Sequence, residues 1–243
     1  MSQMILTSLP VTTWQSLASL IDQTFLRADA TESQIRNLCE QCATYGFATV
    51  FVNPYWAPTA VEALKGSPVR VGVPVGFPLG AVSTAVKRSE ALEALKVGAK
   101  EIDMVMNIGA LKSGDRDRVQ LDIAGVAQLT HEYGAQLKVI IETEFLTLEE
   151  KLIACQVAML AEADYVKTCT GFAGEATVED VALMRGVVGE KLGVKASGGI
   201  RTKEQALAML AAGASRIGTS EGVAIVMDLG APAPTNPIIQ SSY

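Results

Sequence analysis

Eight short apolar runs, each followed by a stretch with helical periodicity, set the tightest limit on how this chain can fold. The runs are "LIDQTFL", "FATVFV", "RVGVPVGF", "KEIDMVM", "QLKVIIE", "DYVKT", "GVKAS" and "SRIGTS". Most are continuously apolar or broken by a single charge, as parallel strands covered on both faces are. Between them lie segments such as "ESQIRNLCEQCATYG", "STAVKRSEALEALKVG" and "TLEEKLIACQVAMLAEA", whose apolar residues recur at helical spacing. Thr31 with Gln34, Thr147 with Glu150, and Thr202 with Gln205 have capping-box spacing, which satisfies free amide donors at helix starts. Gly46, Gly98, Gly134, Gly193 and Gly213 stand where helices should stop and strands begin. Eight strands with crossover helices predict an α/β fold, a (β/α)8 TIM barrel; a doubly wound open sheet is the rival. On this reading residues 1–228 are a single barrel domain, and a short helix in "TTWQSLASL" covers the barrel bottom. Residues 229–243, Pro-rich and polar, form a mobile C-terminal tail.

Composition narrows the function. The chain has 243 residues, 49% of them hydrophobic, and α/β barrels of about 250 residues are single domains. A net charge of −6, with no run of Lys and Arg, disfavours a nucleic-acid partner. The first 21 residues carry no Lys or Arg, and no apolar run reaches membrane-spanning length. A cytoplasmic protein with no membrane partner is expected. Cys39 and Cys42 form a CxxC, but they lie on an amphipathic helix with no second ligand pair nearby, so a metal role is not expected. The sole histidine, His131, falls at a helix end in "LTHEYG" and reads as a surface or capping residue. No His-based triad is available.

The charges inside apolar strands carry more information: Asp22, Glu101, Asp103, Lys138, Glu142, Lys167 and Lys195. Period-two alternation puts Glu101 with Asp103, and Lys138 with Glu142, on common faces. One reading is a self-neutralising ion network that fills the barrel, but such a network is seldom a net stabiliser. Two lysines on adjacent strands are harder still to justify by stability. Parallel strands lie about 4.8 Å apart, so each ammonium disfavours protonation of the other, and burial acts in the same direction. One lysine is then a neutral amine near neutral pH, as attack on a carbonyl requires. The resulting iminium is an electron sink for C–C cleavage or formation, and Asp103 is placed to move protons, directly or through a water.

At these residues the chain resembles a known family. "YVKTCTGF" with "KASGGIRT", "EIDMVMNIGALKSGD", "VGFPLGA" and "KVIIETEFLT" are similar to deoxyribose-phosphate aldolase, a Schiff-base (class I) aldolase, over roughly Leu20 to Ile225. The resemblance implies reversible cleavage of 2-deoxy-D-ribose 5-phosphate to acetaldehyde and D-glyceraldehyde 3-phosphate, with no metal or cofactor. By position it implies Lys167 as the Schiff-base lysine, Lys195 as the lysine that perturbs it, and Asp103 as the proton-shuttling carboxylate. A homodimer is the family's habit. Asp22, Thr24, Phe51, Lys138 and Thr170 are expected in substrate binding. A phosphate wants backbone amides and close-approaching glycines, which assigns Gly171, Gly198, Gly199, Gly218 and Ser220 to it, with Arg201 adding charge.

Departures from the family pattern bear on the acceptor. Glu221 stands in "GTSEG", where the family reads GTSSG or GASSG. Pointing inward it would repel a phosphate by up to about 4 kcal/mol per charge pair at close range; pointing outward it would favour a helix dipole. A shift toward non-phosphorylated acceptors is therefore an alternative, as is a catalytically silent sugar-phosphate-binding barrel. Phe51 replaces a frequent cysteine, which predicts tolerance of concentrated aldehyde, while Cys169 replaces a serine two residues past Lys167. Gln23 replaces a common histidine, and the loop "TGFAGEAT" is shorter than the common TGFGTGGAT. Tyr243 either ends a disordered tail or folds over the site to assist proton transfer.

Overall fold

A computed structural model describes residues 13–236; Tyr243 and its proposed closure lie outside the described residues. The eight strands are β1 Ile21–Phe25, β2 Thr49–Val52, β3 Arg70–Val75, β4 Glu101–Val105, β5 Gln136–Ile140, β6 Tyr165–Lys167, β7 Gly193–Ser197 and β8 Arg216–Thr219. They match the eight apolar runs in number and order. All pair in parallel, and β1 pairs with both β2 and β8, with Asp22 beside Thr49 on one side and Gly218 on the other. The sheet is therefore a closed barrel, and the open doubly wound sheet is excluded.

The helices are α1 Trp14–Ala18, α2 Glu32–Tyr45, α3 Ala57–Ala63, α4 Thr84–Lys96, α5 Ile108–Lys112, α6 Arg116–Glu132, α7 Leu148–Leu160, α8 Val178–Val188, α9 Lys203–Ala211 and α10 Gly222–Met227. The three expected capping boxes all form. Four of the five expected stop glycines, Gly46, Gly98, Gly134 and Gly213, adopt positive φ. The fifth, Gly193, opens β7, where a Cβ would overlap the Tyr165 ring, while Gly189 is the residue that ends α8. Outward-facing strand residues such as Val73, Ile102, Val139 and Val194 are wholly buried under the helices, each stabilising the layer by about 1.5–3 kcal/mol. Short α1 buries Leu17 and Ala18 beside the barrel's N-terminal end, where Ser19 lines a shallow depression with Arg70, Glu101 and Arg216. Residues 229–236 run along α2, with the Tyr45 hydroxyl donating to the Pro232 carbonyl at 2.7 Å.

One buried lysine belongs to the scaffold. Lys87 of α4 is fully buried; its Nζ donates to the Val105 carbonyl (2.9 Å) and to Asp122 of α6 (2.5 Å). Thr84 donates to the other Asp122 oxygen at 2.7 Å. The pair ties two helices to the end of β4, two residues beyond Asp103. His131 lies in the last turn of α6 with Nε2 3.0 Å from Asp164. Cys39 and Cys42 face the core from α2, and burial raises both thiol pKa values, that of Cys39 to about 12.

Candidate active site

Strand register sets the charges of the barrel interior side by side. Lys167, Lys195 and Arg216 are direct neighbours across β6, β7 and β8, and Asp103 is paired with Lys138 across β4 and β5. Arg216, in the run "SRIGTS", is a member that the sequence reading passed over. Its alternation with Gly218 on an otherwise apolar strand was the available signal.

Asp103 is the hub. Its Oδ2 accepts from Nζ of Lys167 at 2.8 Å and from Nζ of Lys195 at 2.7 Å, and its Oδ1 accepts from Lys138 at 2.9 Å. A lower tier completes the network: Lys195 pairs with Asp22 at 2.6 Å, Arg216 donates to Asp22 at 2.7 Å, and Lys138 donates to Glu101. Arg216 also meets Glu101 at 3.2 Å. Asp22, Glu101, Asp103 and Lys138 have no solvent exposure, whereas Lys167 keeps 5%. In this interior three carboxylates, Asp22, Glu101 and Asp103, face four cations, Lys138, Lys167, Lys195 and Arg216. One neutral lysine balances the set, and excess buried charge is what a protein interior penalises most.

Lys167 is the member whose charged form is disfavoured. Burial lowers its pKa to about 8 from 10.5; attraction by Asp103 opposes the shift, and repulsion by Lys195 and Lys138 assists it. Desolvation is the largest cause, ahead of repulsion by Lys195. Roughly a tenth of Lys167 is then neutral at pH 7, against about three in ten thousand for an ordinary lysine. Burial alone would raise the Asp103 pKa, but Lys138, Lys167 and Lys195 together hold its carboxyl well below the usual range. Burial would likewise raise Asp22, but Lys195, Lys138 and Arg216 together outweigh it and lower its pKa. Lys138 and Arg216 are raised by their carboxylate partners against the cost of burial.

Above the network lies a cavity of about 260 Å³ at the C-terminal end of the strands. Lys167 reaches it; Lys138 and Lys195 do not line it. Thr24, Thr170, Gly171, Gly198, Gly199, Arg201, Gly218 and Ser220, which the sequence assigns to substrate binding as an expectation, line it. Asp22 and Lys138 lie in the tiers below, contacting the lysines and carboxylates. Phe51 is buried beneath the cavity, its ring centre 4.5 Å from Nζ of Lys195 and 5.2 Å from Nζ of Lys167. Gly72 of β3 makes room for that ring, since a Cβ there would come within 2.5 Å of it. Gly218 does the same for Lys195, whose Cε would lie 2.9 Å from an added Cβ. Glu221 is absent from the lining; its carboxylate accepts from Ser220 Oγ at 3.3 Å. Cys169 is buried against Thr143, 3.4 Å from its hydroxyl, and burial raises its pKa.

Three positioning roles were not legible in the sequence. Thr168 Oγ1 donates to the Ser197 carbonyl and accepts from the Ser197 amide (2.8 and 3.0 Å), clasping the strands that carry the two lysines. Glu142, at φ 53°, accepts from the Thr170 amide at 3.1 Å and sets the loop after β6. Left-handed backbone at a non-glycine residue is costly and collects at functional sites. Gln23 is buried and spans the turn after β8: its Nε2 donates to the Ser220 carbonyl (2.8 Å) and its Oε1 accepts from the Gly222 amide (2.9 Å).

The similarity to known proteins agrees with this geometry. The chain is 58% identical over 213 residues to the deoxyribose-phosphate aldolase of Thermococcus gammatolerans, covering 86% of this chain and 95% of that one. It is 55% identical over 212 residues to that of a Geobacillus strain, covering 87% and 95%. Among solved structures, a tetrameric deoxyribose phosphate aldolase from Aeropyrum pernix superposes with a TM-score of 0.84 at 32% identity, covering 89% of this chain and 92% of that one. The family described as DeoC/LacD family aldolase matches residues 16–228. With a lysine of lowered pKa at the foot of the cavity and its carboxylate partner beside it, this chain belongs to the DeoC/LacD aldolase family.

Proposed function

We propose that this aldolase reversibly cleaves 2-deoxy-D-ribose 5-phosphate to acetaldehyde and D-glyceraldehyde 3-phosphate, with Lys167 as the Schiff-base lysine. The observation that carries the assignment is that Lys167 alone of the three networked lysines lines the cavity, with a pKa near 8. Its neutral amine attacks C1 of the open-chain sugar, and loss of water gives an iminium. Removal of the proton from the C3 hydroxyl breaks the C2–C3 bond, the electron pair passing into an enamine on Lys167 as the aldehyde departs. Protonation at C2 and hydrolysis then release acetaldehyde. Asp103, held as the anion and 2.8 Å from Lys167, is the group proposed to move these protons, through a water where the distance requires it. Lys195 biases Lys167 toward the neutral amine and pairs with Asp103.

The phosphate is proposed to sit among the loops after β6, β7 and β8. Their glycines and Arg201 line the far end of the cavity, which suits a dianion. A homo-oligomer working in the cytoplasm is part of the same proposal. The tetrameric relative supports it, and no helix among the described residues is long and apolar enough to cross a membrane.

Borohydride reduction in the presence of acetaldehyde, followed by mass spectrometry, tests the assignment. A two-carbon adduct is expected on Lys167 and none in Lys167→Ala. An adduct on another lysine, or none in the folded protein, would overturn it.

A further inference from the structure

The polar end of the cavity already holds a carboxylate. Glu175, on the loop after β6, places Oε1 3.0 Å from Nη1 of Arg201, which also donates to the Gly199 carbonyl at 3.3 Å. A Cβ on Gly199 would lie within 2.7 Å of that same Oε1, so the carboxylate rests directly on the glycine's α-carbon. The loop is fixed beside it: the Ala176 amide donates to the Gly198 carbonyl at 3.0 Å, and a Cβ on Gly198 would meet the Gly174 carbonyl at 2.8 Å. Gly198, Gly199, Arg201 and Glu175 all line the cavity. The cation and the bare backbone offered to a phosphate are thus the groups that Glu175 covers.

We propose that Glu175 is a specificity-determining residue, a resident carboxylate that occupies the anion subsite and must release Arg201 before a phosphate can bind. The inference rests on the reading that the acceptor's phosphate lies at this end. The Glu175 and Arg201 side chains are 63% and 64% exposed, so the pair is weak and exchangeable. A dianion competes well for the guanidinium, but it gains only the difference between its own contact and the one it breaks. An uncharged aldehyde leaves the pair in place. Glu175 therefore narrows the preference for phosphorylated over unphosphorylated acceptors without reversing it. The 174–175 segment leaves no room for a side chain at either glycine: a Cβ on Gly199 would strike the Glu175 side chain and one on Gly198 the Gly174 carbonyl, and both residues have positive φ besides.

The test compares the parent with Glu175→Gln, which removes the charge at constant size, and with Glu175→Ala. Binding of inorganic phosphate is measured by calorimetry at low ionic strength. KM and kcat are measured for condensation of acetaldehyde with D-glyceraldehyde 3-phosphate and with D-glyceraldehyde. Glu175→Gln is expected to bind phosphate about tenfold more tightly and to lower KM for the phosphorylated acceptor by a similar factor. Its kcat, and both constants for the unphosphorylated acceptor, should stay within about twofold of the parent; added salt should shrink the contrast. Phosphate binding that is unchanged, weaker or undetectable in both variants overturns the proposal. So does a KM that moves equally for both acceptors, which would mark Glu175 as a loop support. The phosphate titration needs no turnover, so failure of the Schiff-base assignment would be read separately, in the trapping experiment.

Discussion

Oδ2 of Asp103 lies 2.8 Å from Nζ of Lys167, at the floor of the cavity. Nζ of Lys195 meets the same oxygen at 2.7 Å, so one carboxylate oxygen serves both lysines. The contact favours the charged form of Lys167, yet burial outweighs it and the amine titrates near 8. The site is a contest between desolvation and one ion pair, and its pH behaviour follows.

Iminium formation, read as borohydride-trappable adduct against pH, should rise through about pH 8 and then level, since the neutral amine is the nucleophile. Asp103→Asn removes the attraction and should move the onset below 8, while kcat falls about 10²–10⁴-fold with the proton shuttle. Lys195→Leu removes a repulsion and should move the onset above 8 but still short of 10.5, because burial is the larger cause. An onset at 10.5 in Lys195→Leu would show that the second lysine does most of the work.

The same shift has a stability consequence. The folded pKa of Lys167 is depressed, so between about pH 8 and 10.5 the unfolded chain binds more protons than the folded one. Stability therefore rises with pH across that window. Urea unfolding of the parent and of Lys167→Met should show the parent gaining on the variant between pH 7.5 and about pH 10. A constant difference would place the Lys167 pKa at its ordinary value.

Gln23 holds both sides of the turn after β8 through Ser220 and Gly222. Gln23→Leu leaves that carbonyl and amide unmet, at a cost of about 1–3 kcal/mol. It should raise KM for the phosphorylated acceptor about tenfold while acetaldehyde still exchanges its methyl protons. Parallel loss of both activities would instead assign Gln23 to the barrel as a whole.

Lys87 and Asp122 are a buried pair outside the chemistry. Lys87→Met should destabilise the fold by about 3–5 kcal/mol, because it strands a buried carboxylate. Adding Asp122→Leu should recover much of that loss in urea unfolding. If the double variant is no more stable than the single one, the Thr84 and Val105 contacts carry the energy rather than the charge pair.

Phe51 floors the site beneath Lys195 and Lys167. Phe51→Cys should cost about 3 kcal/mol through the void it leaves and should place a thiol where aldehyde can attack. Activity of the variant during incubation with acetaldehyde is expected to decay faster than that of the parent. Equal decay would remove any protective role from the ring.

The sequence alone determined the eight strands, their order, three capping boxes, the face that Asp103 shares with Glu101, and the adjacent strands that carry Lys167 and Lys195. These are local properties: periodicity and end signals are written within a few residues of where they act. Tertiary structure decided the rest. Closure of β1 on β8 brought Asp22 to Arg216, 194 residues away in the chain, and to Lys195. Register made Asp103 the hub and left Lys167, not Lys195, facing the cavity. The path of one loop set Glu175 on Gly199 while Glu221, the acidic residue conspicuous in the sequence, stayed off the lining. Periodicity tells which face a side chain shares with its neighbours on one strand. What it meets across the barrel depends on strands far away in sequence, and only closing the sheet fixes those distances.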